Sequence, residues 1–382
     1  MRKFRFGFAV ALVSACAMLA AVTANASPDV VGHVYVNDNT SGANTIAAFD
    51  RHADGTLTPM AGSPFAAGGA GTGVGLASQG SLQMSSDGRY LLAVDAGSNQ
   101  ISVLRIKHDG SLKAVGGGPV SSDGVDPVSI AVHDQLVYVA NAGTATSSDG
   151  TNYTGFTLNP GGHLRPLAGS TVTLPDPSQP GDVLFSPDGG KLVGTRVETS
   201  LIDSFTVGRK GLLTAASASP FPAGRIGPFG SEFRPTNGSQ LFVSNAHDGP
   251  GLGSVSAFTD GADGTLTPIG ASPFADDQTA PCWIEISHDG QFLFTVNTGS
   301  GSISSYSIAN SGSLTLLQST PVTAAGSPED ARLSPDGSTL WVVDPTADTV
   351  SGFTVDGGSL TELTTSPTPA PSGPAPAGIV VT

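Results

Sequence analysis

Apolar and polar residues alternate along this chain in short bursts, and most bursts end in a turn signal. DVLFSPDGGKLVGTR (182–196), WIEISHDGQFLFTVN (283–297) and DARLSPDGSTLWVVD (330–344) show the pattern. Each reads as an apolar strand, an Asp-Gly turn and a second apolar strand ending in Asn, Asp or Arg. Asp-Gly supplies the positive φ of a tight hairpin turn, and period-two alternation marks a strand with two different faces. A second hairpin follows in each unit, as in FTDGADGTLTPI (258–269) and YSIANSGSLTLL (306–317). Its leucine recurs seven times, at Leu57, Leu112, Leu164, Leu213, Leu266, Leu314 and Leu360. Aligning Ser86, His133, Ser186, Arg234, Ser287 and Ser334 gives steps of 47, 53, 48, 53 and 47 residues. Four short strands in a unit of that length form one propeller blade, so the repeats predict an all-β, seven-bladed β-propeller.

The first unit begins at its second strand (HVYVND, 33–38), and an unpaired first strand sits at the far end in PAGIVVT (376–382). The complementary deficit predicts that the C-terminal strand closes the ring, with the Pro-rich SPTPAPSGPAPAG as the loop leading into it. With no long amphipathic-helix pattern and no interior linker, residues 27–382 read as one domain.

Residues 1–26 read as a targeting segment. Arg2, Lys3 and Arg5 precede an apolar stretch from Phe6 to Ala21, and Ala24-Asn25-Ala26 is a small-residue cleavage site. Val13-Ser14-Ala15-Cys16 also resembles a bacterial lipobox that would tether Cys16 to lipid, but the apolar AMLAAVTA after it favours plain cleavage. The expected location is outside the cytoplasm, secreted or periplasmic, without a membrane span. The 356 remaining residues hold one cysteine, Cys282, so no internal disulfide is expected. They carry 13 basic against 31 acidic residues, a net charge of −18, which disfavours nucleic acid and anionic lipid as partners.

In a propeller the first strand of each blade lines the central channel, and alternation sorts its side chains. Counting from Pro180, the third and fifth positions are apolar (Leu82, Ile130, Val183, Ile284, Ile379; Met84, Val132, Phe185, Phe233, Ile286) and should pack between blades. The second positions are Ser81, Ser129, Asp182, Gly230, Trp283, Asp330 and Gly378; the fourth are Gln83, Ala131, Leu184, Glu232, Glu285, Arg332 and Val380. Both sets should face the channel. Ligand binding is expected at the channel mouth on the face opposite the Asp-Gly turns, where the longer loops Asn37–Ala48, Gly143–Thr154 and Ala246–Val255 project. Trp283 would offer a stacking platform, with Asp330, Glu232, Gln83 and the loop residue His247 as further contacts. Glu285 and Arg332 read equally well as a structural ion pair. The Asn or Asp ending each second strand reads as a turn cap. Arg196 stands in that position in its own blade, with Glu198 as the expected neighbour. The histidines lack metal-ligand spacing, and neither a metal nor an organic cofactor is predicted.

The SPDG hairpins, the VYVAN and LFVSN strand ends and the G-x-L hairpins resemble the seven-bladed lactonase family and, more broadly, the YVTN-type surface-repeat propellers. The lactonase family includes 6-phosphogluconolactonases and carboxymuconate cyclases. The resemblance implies a hydrolase of a small sugar or organic lactone. It also implies histidines in a Pro-His-x-His stretch, a Gly-Pro-Arg-His stretch one blade later, and a glutamate after that blade's second strand. Here the first stretch is SQPGDVLFSPDG, with Gly181 and Asp182 where histidine would stand. The second is IGPFGSEFRP, with Phe229 and Gly230 in place of Arg-His, and Ala246 replaces the glutamate. A relocated site would use Asp182 or Glu285 as base and Arg196 or Arg332 as cation. The alternative is a non-catalytic monomer that binds a carbohydrate-like ligand or an envelope protein.

Overall fold

The computed structural model describes Met1 and residues 29–144, 149–175, 177–324, 326–370 and 375–382. The targeting segment, Cys16, part of the Gly143–Thr154 loop and part of the Pro-rich stretch lie outside these residues. Among the described residues no helix is long and apolar enough to cross a membrane.

Seven antiparallel sheets stand in a ring, one per repeat. From the inner strand outward, blade 2 begins at Leu82–Met84, blade 3 at Pro127–His133 and blade 4 at Pro180–Phe185. Blade 5 begins at Pro228–Arg234, blade 6 at Pro281–Ile286 and blade 7 at Ala331–Leu333. Blade 1 takes its inner strand, Ala377–Val381, from the end of the chain. Val381, Val380 and Ile379 pair with Val34, Tyr35 and Val36, and His33 and Thr382 exchange backbone hydrogen bonds of 3.0 and 2.8 Å. The ring closes as the two half-blades predicted.

Six outer strands start at the recurring leucine, and blade 7's starts one residue earlier, at Ser359. In six blades the outer strand then breaks, and a two-residue segment such as Phe65–Ala66 resumes pairing with the third strand. Four of the breaks contain a Ser-Pro step, whose serine hydroxyl accepts the orphaned third-strand N–H: Ala48 to Ser63, Ser204 to Ser219, Ala257 to Ser272 and Gly352 to Ser366. A buried backbone donor is thereby satisfied where the ladder lapses.

Seven apolar clusters fill the seven blade-to-blade interfaces. Phe242, Val255 and Ala257 of blade 5, for example, pack on Ile284, Ile286 and Tyr306 of blade 6. The ring is held by burial between sheets, the dominant favourable contribution in a fold without disulfides. At the first hairpins of blades 2, 4, 6 and 7 a serine caps the turn aspartate, as Ser186 does Asp188 and Ser334 does Asp336. In blade 2 that serine is Ser85, which bonds to Asp87. The repeat alignment through Ser86 is therefore one residue out, a slip that the doubled serine invites.

Candidate functional site

Strand register fixes the channel lining. Gln83, Ala131, Leu184, Glu232, Glu285, Arg332 and Val380 pair with Leu92, Tyr138, Val193, Phe242, Phe294, Trp341 and Tyr35. These partners are equivalent positions of the seven second strands, so the seven lining residues form one level of the ring. Ser81, Ser129, Asp182, Gly230, Trp283, Asp330 and Gly378 form the level above, nearer the loops between second and third strands.

The upper level is sealed. Six inner strands are led by proline (Pro127, Pro180, Pro228, Pro281, Pro328, Pro376), whereas blade 2 has Gln79 at that position. Its segment crosses the mouth. Ser78 Oγ donates to the Val128 carbonyl of blade 3 (2.8 Å), and Gln79 N to the Gly181 carbonyl of blade 4 (2.9 Å). Gln79 Nε2 donates to the Ser231 carbonyl of blade 5 (3.1 Å), while Gln79 Oε1 accepts the Ile284 N–H of blade 6 (2.9 Å). Trp283 is part of this seal and does not form the open stacking surface expected of it. It is 3% exposed, its indole N–H donates to the Ser78 carbonyl (2.9 Å), and its ring meets Phe229 edge-on at 5.1 Å. A Cβ at Gly230 would collide with Gln79 Oε1. The glycine standing where the family resemblance implies histidine thus makes room for the glutamine.

Asp182 is buried beneath the seal and held by its neighbours. Ser129 Oγ donates to Oδ1 (3.1 Å), and Ser231 N (2.9 Å) and Oγ (2.6 Å) donate to Oδ2. Burial outweighs these donors and pushes its carboxyl up to about 7. Asp330 is also buried and rises to about 6, chiefly through desolvation. Its Oδ1 accepts the Ala331 N–H, whereas Oδ2, like Ser81 Oγ, has no hydrogen-bond partner among the described residues.

The lower level has room. Gln83, Leu184, Glu232 and Arg332 are half-buried, in contrast to the buried polar residues above them. Arg332 Nη1 bonds to Glu285 Oε2 at 3.0 Å, and Glu285 Oε1 accepts the Leu333 N–H at 3.0 Å. Burial depresses the Arg332 guanidinium, but Glu285 and Asp330 more than offset this and hold it above its ordinary value. Glu232 lies between Asp182 and Glu285 in the ring order. Burial, then the Glu285 carboxylate, pushes its carboxyl up to about 8. No hydrogen bond engages the Glu232 carboxyl among the described residues, and Arg332 uses only Nη1. The structure therefore brings Asp182, Glu232, Glu285, Asp330 and Arg332 together around one channel.

Arg196 stands apart. Its Nε and Nη2 grip Asp203, with Nε to Oδ2 at 2.6 Å, and Tyr153 of blade 3 donates to the same carboxylate at 3.1 Å. The partner is Asp203 rather than Glu198 because Gly194 pairs with Asp203 and Arg196 lies two residues on, on the same sheet face. The Asn and Asp residues ending the other second strands are internal braces. Asn297, for instance, donates to Ser302 and Ser304, and Asp344 accepts the N–H groups of Ser327, Thr346 and Ala347. His247 is exposed on the rim of the upper face, outside the seal, against Gly227. Among the described residues no His, Cys, Asp and Glu side chains cluster in a way that could hold a metal ion.

Solved structures share the architecture. A candidate 6-phosphogluconolactonase from Bacteroides uniformis superposes with a TM-score of 0.71 at 21% identity, over 92% of this chain and 99% of its own. The periplasmic gluconolactonase PpgL of Pseudomonas aeruginosa gives 0.70 at 19% identity, over 92% and 99%. A protein from Lactobacillus plantarum gives 0.72 at 21%, again over 92% and 99%. No curated protein matches the chain in sequence. The family model described as "Lactonase, 7-bladed beta-propeller" matches residues 233–375. The chain is thus a seven-bladed propeller that resembles the lactonase family, in sequence over blades 5 to 7 and in fold around the whole ring.

Proposed function

We propose that this chain is an exported hydrolase of a small lactone, acting in the lower level of the channel with Glu232 as general base and Arg332 as the cation. One observation carries the reading. Glu232 is a half-buried carboxyl with a raised pKa and no hydrogen bond, set beside the Glu285–Arg332 pair. Perturbed, unengaged carboxyls in a channel are the groups that proton transfer requires. Asp182 and Glu285, the bases expected from sequence, are less suited: the first is held by three hydrogen bonds and the second by Arg332 and Leu333.

In this scheme the lactone carbonyl oxygen lies against the free edge of the Arg332 guanidinium. Ionised Glu232 takes a proton from water as its oxygen adds to the carbonyl carbon, and Arg332 stabilises the oxyanion. The ring C–O bond then breaks, and the proton on Glu232 passes to the departing alkoxide. The product is a hydroxy acid, which releases one proton to solvent. The ligand enters from the Asp-Gly-turn face, because Gln79 seals the other mouth. Likeness to proteins described as gluconolactonases supports the substrate class, and the basic-apolar-small pattern of residues 1–26 supports export.

Turnover of a lactone panel, followed by acid release in a pH-stat, tests the scheme. The wild type should hydrolyse at least one lactone, and Glu232→Gln should lower kcat about 100-fold or more. Full activity in Glu232→Gln would refute the assignment. Gly181, Gly230 and the Gln79 seal favour a second reading, a ring that binds such a ligand without turning it over. Its signature is a ligand-induced rise in Tm, lost in Arg332→Gln, with no acid released.

A further inference from the structure

Resting on the hydrolase reading, we infer that the channel selects an uncharged, polyhydroxylated lactone and rejects its phosphorylated counterpart. The lower and upper levels together present Asp182, Glu232, Glu285 and Asp330 against a single cation, Arg332. That cation is already paired with Glu285 at 3.0 Å. Arg196, at the end of blade 4's second strand, is committed to Asp203, and Arg234 is spent on the carbonyls of Gly290, Ala309 and Ile308 and on Gln240. Among the described residues, no arginine or lysine besides Arg332 lines the channel to meet a dianion.

Phosphate recognition depends on such groups, a forked arginine, a lysine or a cradle of N–H donors, and like charge brought together costs several kcal/mol. The Glu285 carboxylate, second to burial, already raises the Glu232 carboxyl, so a further negative charge beside them is disfavoured. The acidic surface extends the repulsion outward. Hydroxyl groups, by contrast, find partners. Gln83 and the Glu232 carboxyl border the open level. A ring rich in hydroxyls can donate to these oxygens, and the anionic product is then expelled by the same field that admits the neutral substrate.

The experiment compares kcat/KM for D-glucono-1,5-lactone and for its 6-phosphate ester near neutral pH, in the wild type and in Asp330→Asn. The neutral lactone should be favoured by about 100-fold or more. Asp330→Asn should narrow that ratio by about 10-fold, because one carboxylate is removed from the field. Equal or better turnover of the phosphate ester by the wild type would overturn the inference while leaving the hydrolase reading intact. If neither lactone is turned over, the wider lactone panel decides the hydrolase reading, and inorganic phosphate decides the charge question alone. A millimolar phosphate-induced rise in Tm that Arg332→Gln abolishes would overturn the inference; no rise with phosphate, beside a rise with a neutral sugar lactam, upholds it.

Discussion

Glu232 and Asp182 differ by one blade and one level, and their surroundings assign them different work. Asp182 accepts three hydrogen bonds from two serines and a backbone amide, so its oxygens hold three inner strands together. Replacing it by asparagine turns an acceptor into a donor facing donors. Asp182→Asn should lower stability by about 1–3 kcal/mol in denaturant unfolding, with kcat per folded molecule nearly unchanged. Glu232→Gln should show the opposite split. It removes a carboxyl that burial already disfavours as an anion and that makes no hydrogen bond, so stability is held or raised while turnover is lost. Retained stability in Asp182→Asn, measured beside Glu232→Gln, would reverse the two assignments.

At the scale of elements, the alternation of the inner strands was legible in full. The residues placed in the channel by sequence form two levels in the structure, and the apolar residues between them pack into the blade interfaces. The seal was not legible from alternation, because Gln79 precedes its strand and acts through one side chain reaching across the ring. Its sequence signal was the single break in a run of six leading prolines. Trp283 and Arg196 were misjudged for a related reason. Periodicity says which way a side chain points but not what a connecting segment from another blade, or a diagonal neighbour two residues away, will lay over it. The seal can be tested in a Trp341→Phe background, where Trp283 is the sole indole. Acrylamide should quench Trp283 weakly, and Gln79→Ala should raise that quenching while costing about 2–4 kcal/mol for the two backbone partners it strands. Strong quenching before Gln79 is replaced would show the upper mouth to be open.

The whole molecule should have its stability optimum on the acid side of neutrality. Asp38, Asp182, Glu232, Glu329 and Asp330 all have carboxyls raised chiefly by burial, to between about 6 and about 8. Between roughly pH 4 and pH 8 the folded ring therefore binds more protons than the unfolded chain, and stability falls as pH rises through that window. Turn aspartates such as Asp188, Asp263 and Asp336 are lowered by hydrogen bonds from their turns, so their contribution is lost as pH falls below about 4. The Tm should peak near pH 4–5 and drop by about 5 °C or more towards pH 8. A rising Tm across that interval would mean that the channel carboxyls are ionised in the folded ring. The same protonation governs catalysis with the opposite sign, because a general base works only when ionised. The pH dependence of kcat/KM, corrected for spontaneous lactone hydrolysis, tests the account most directly. Activity should rise with pH to a plateau through a midpoint near 8, the Glu232 carboxyl, and that limb should vanish in Glu232→Gln. A midpoint near pH 4–5, or an unchanged limb in the variant, would contradict it.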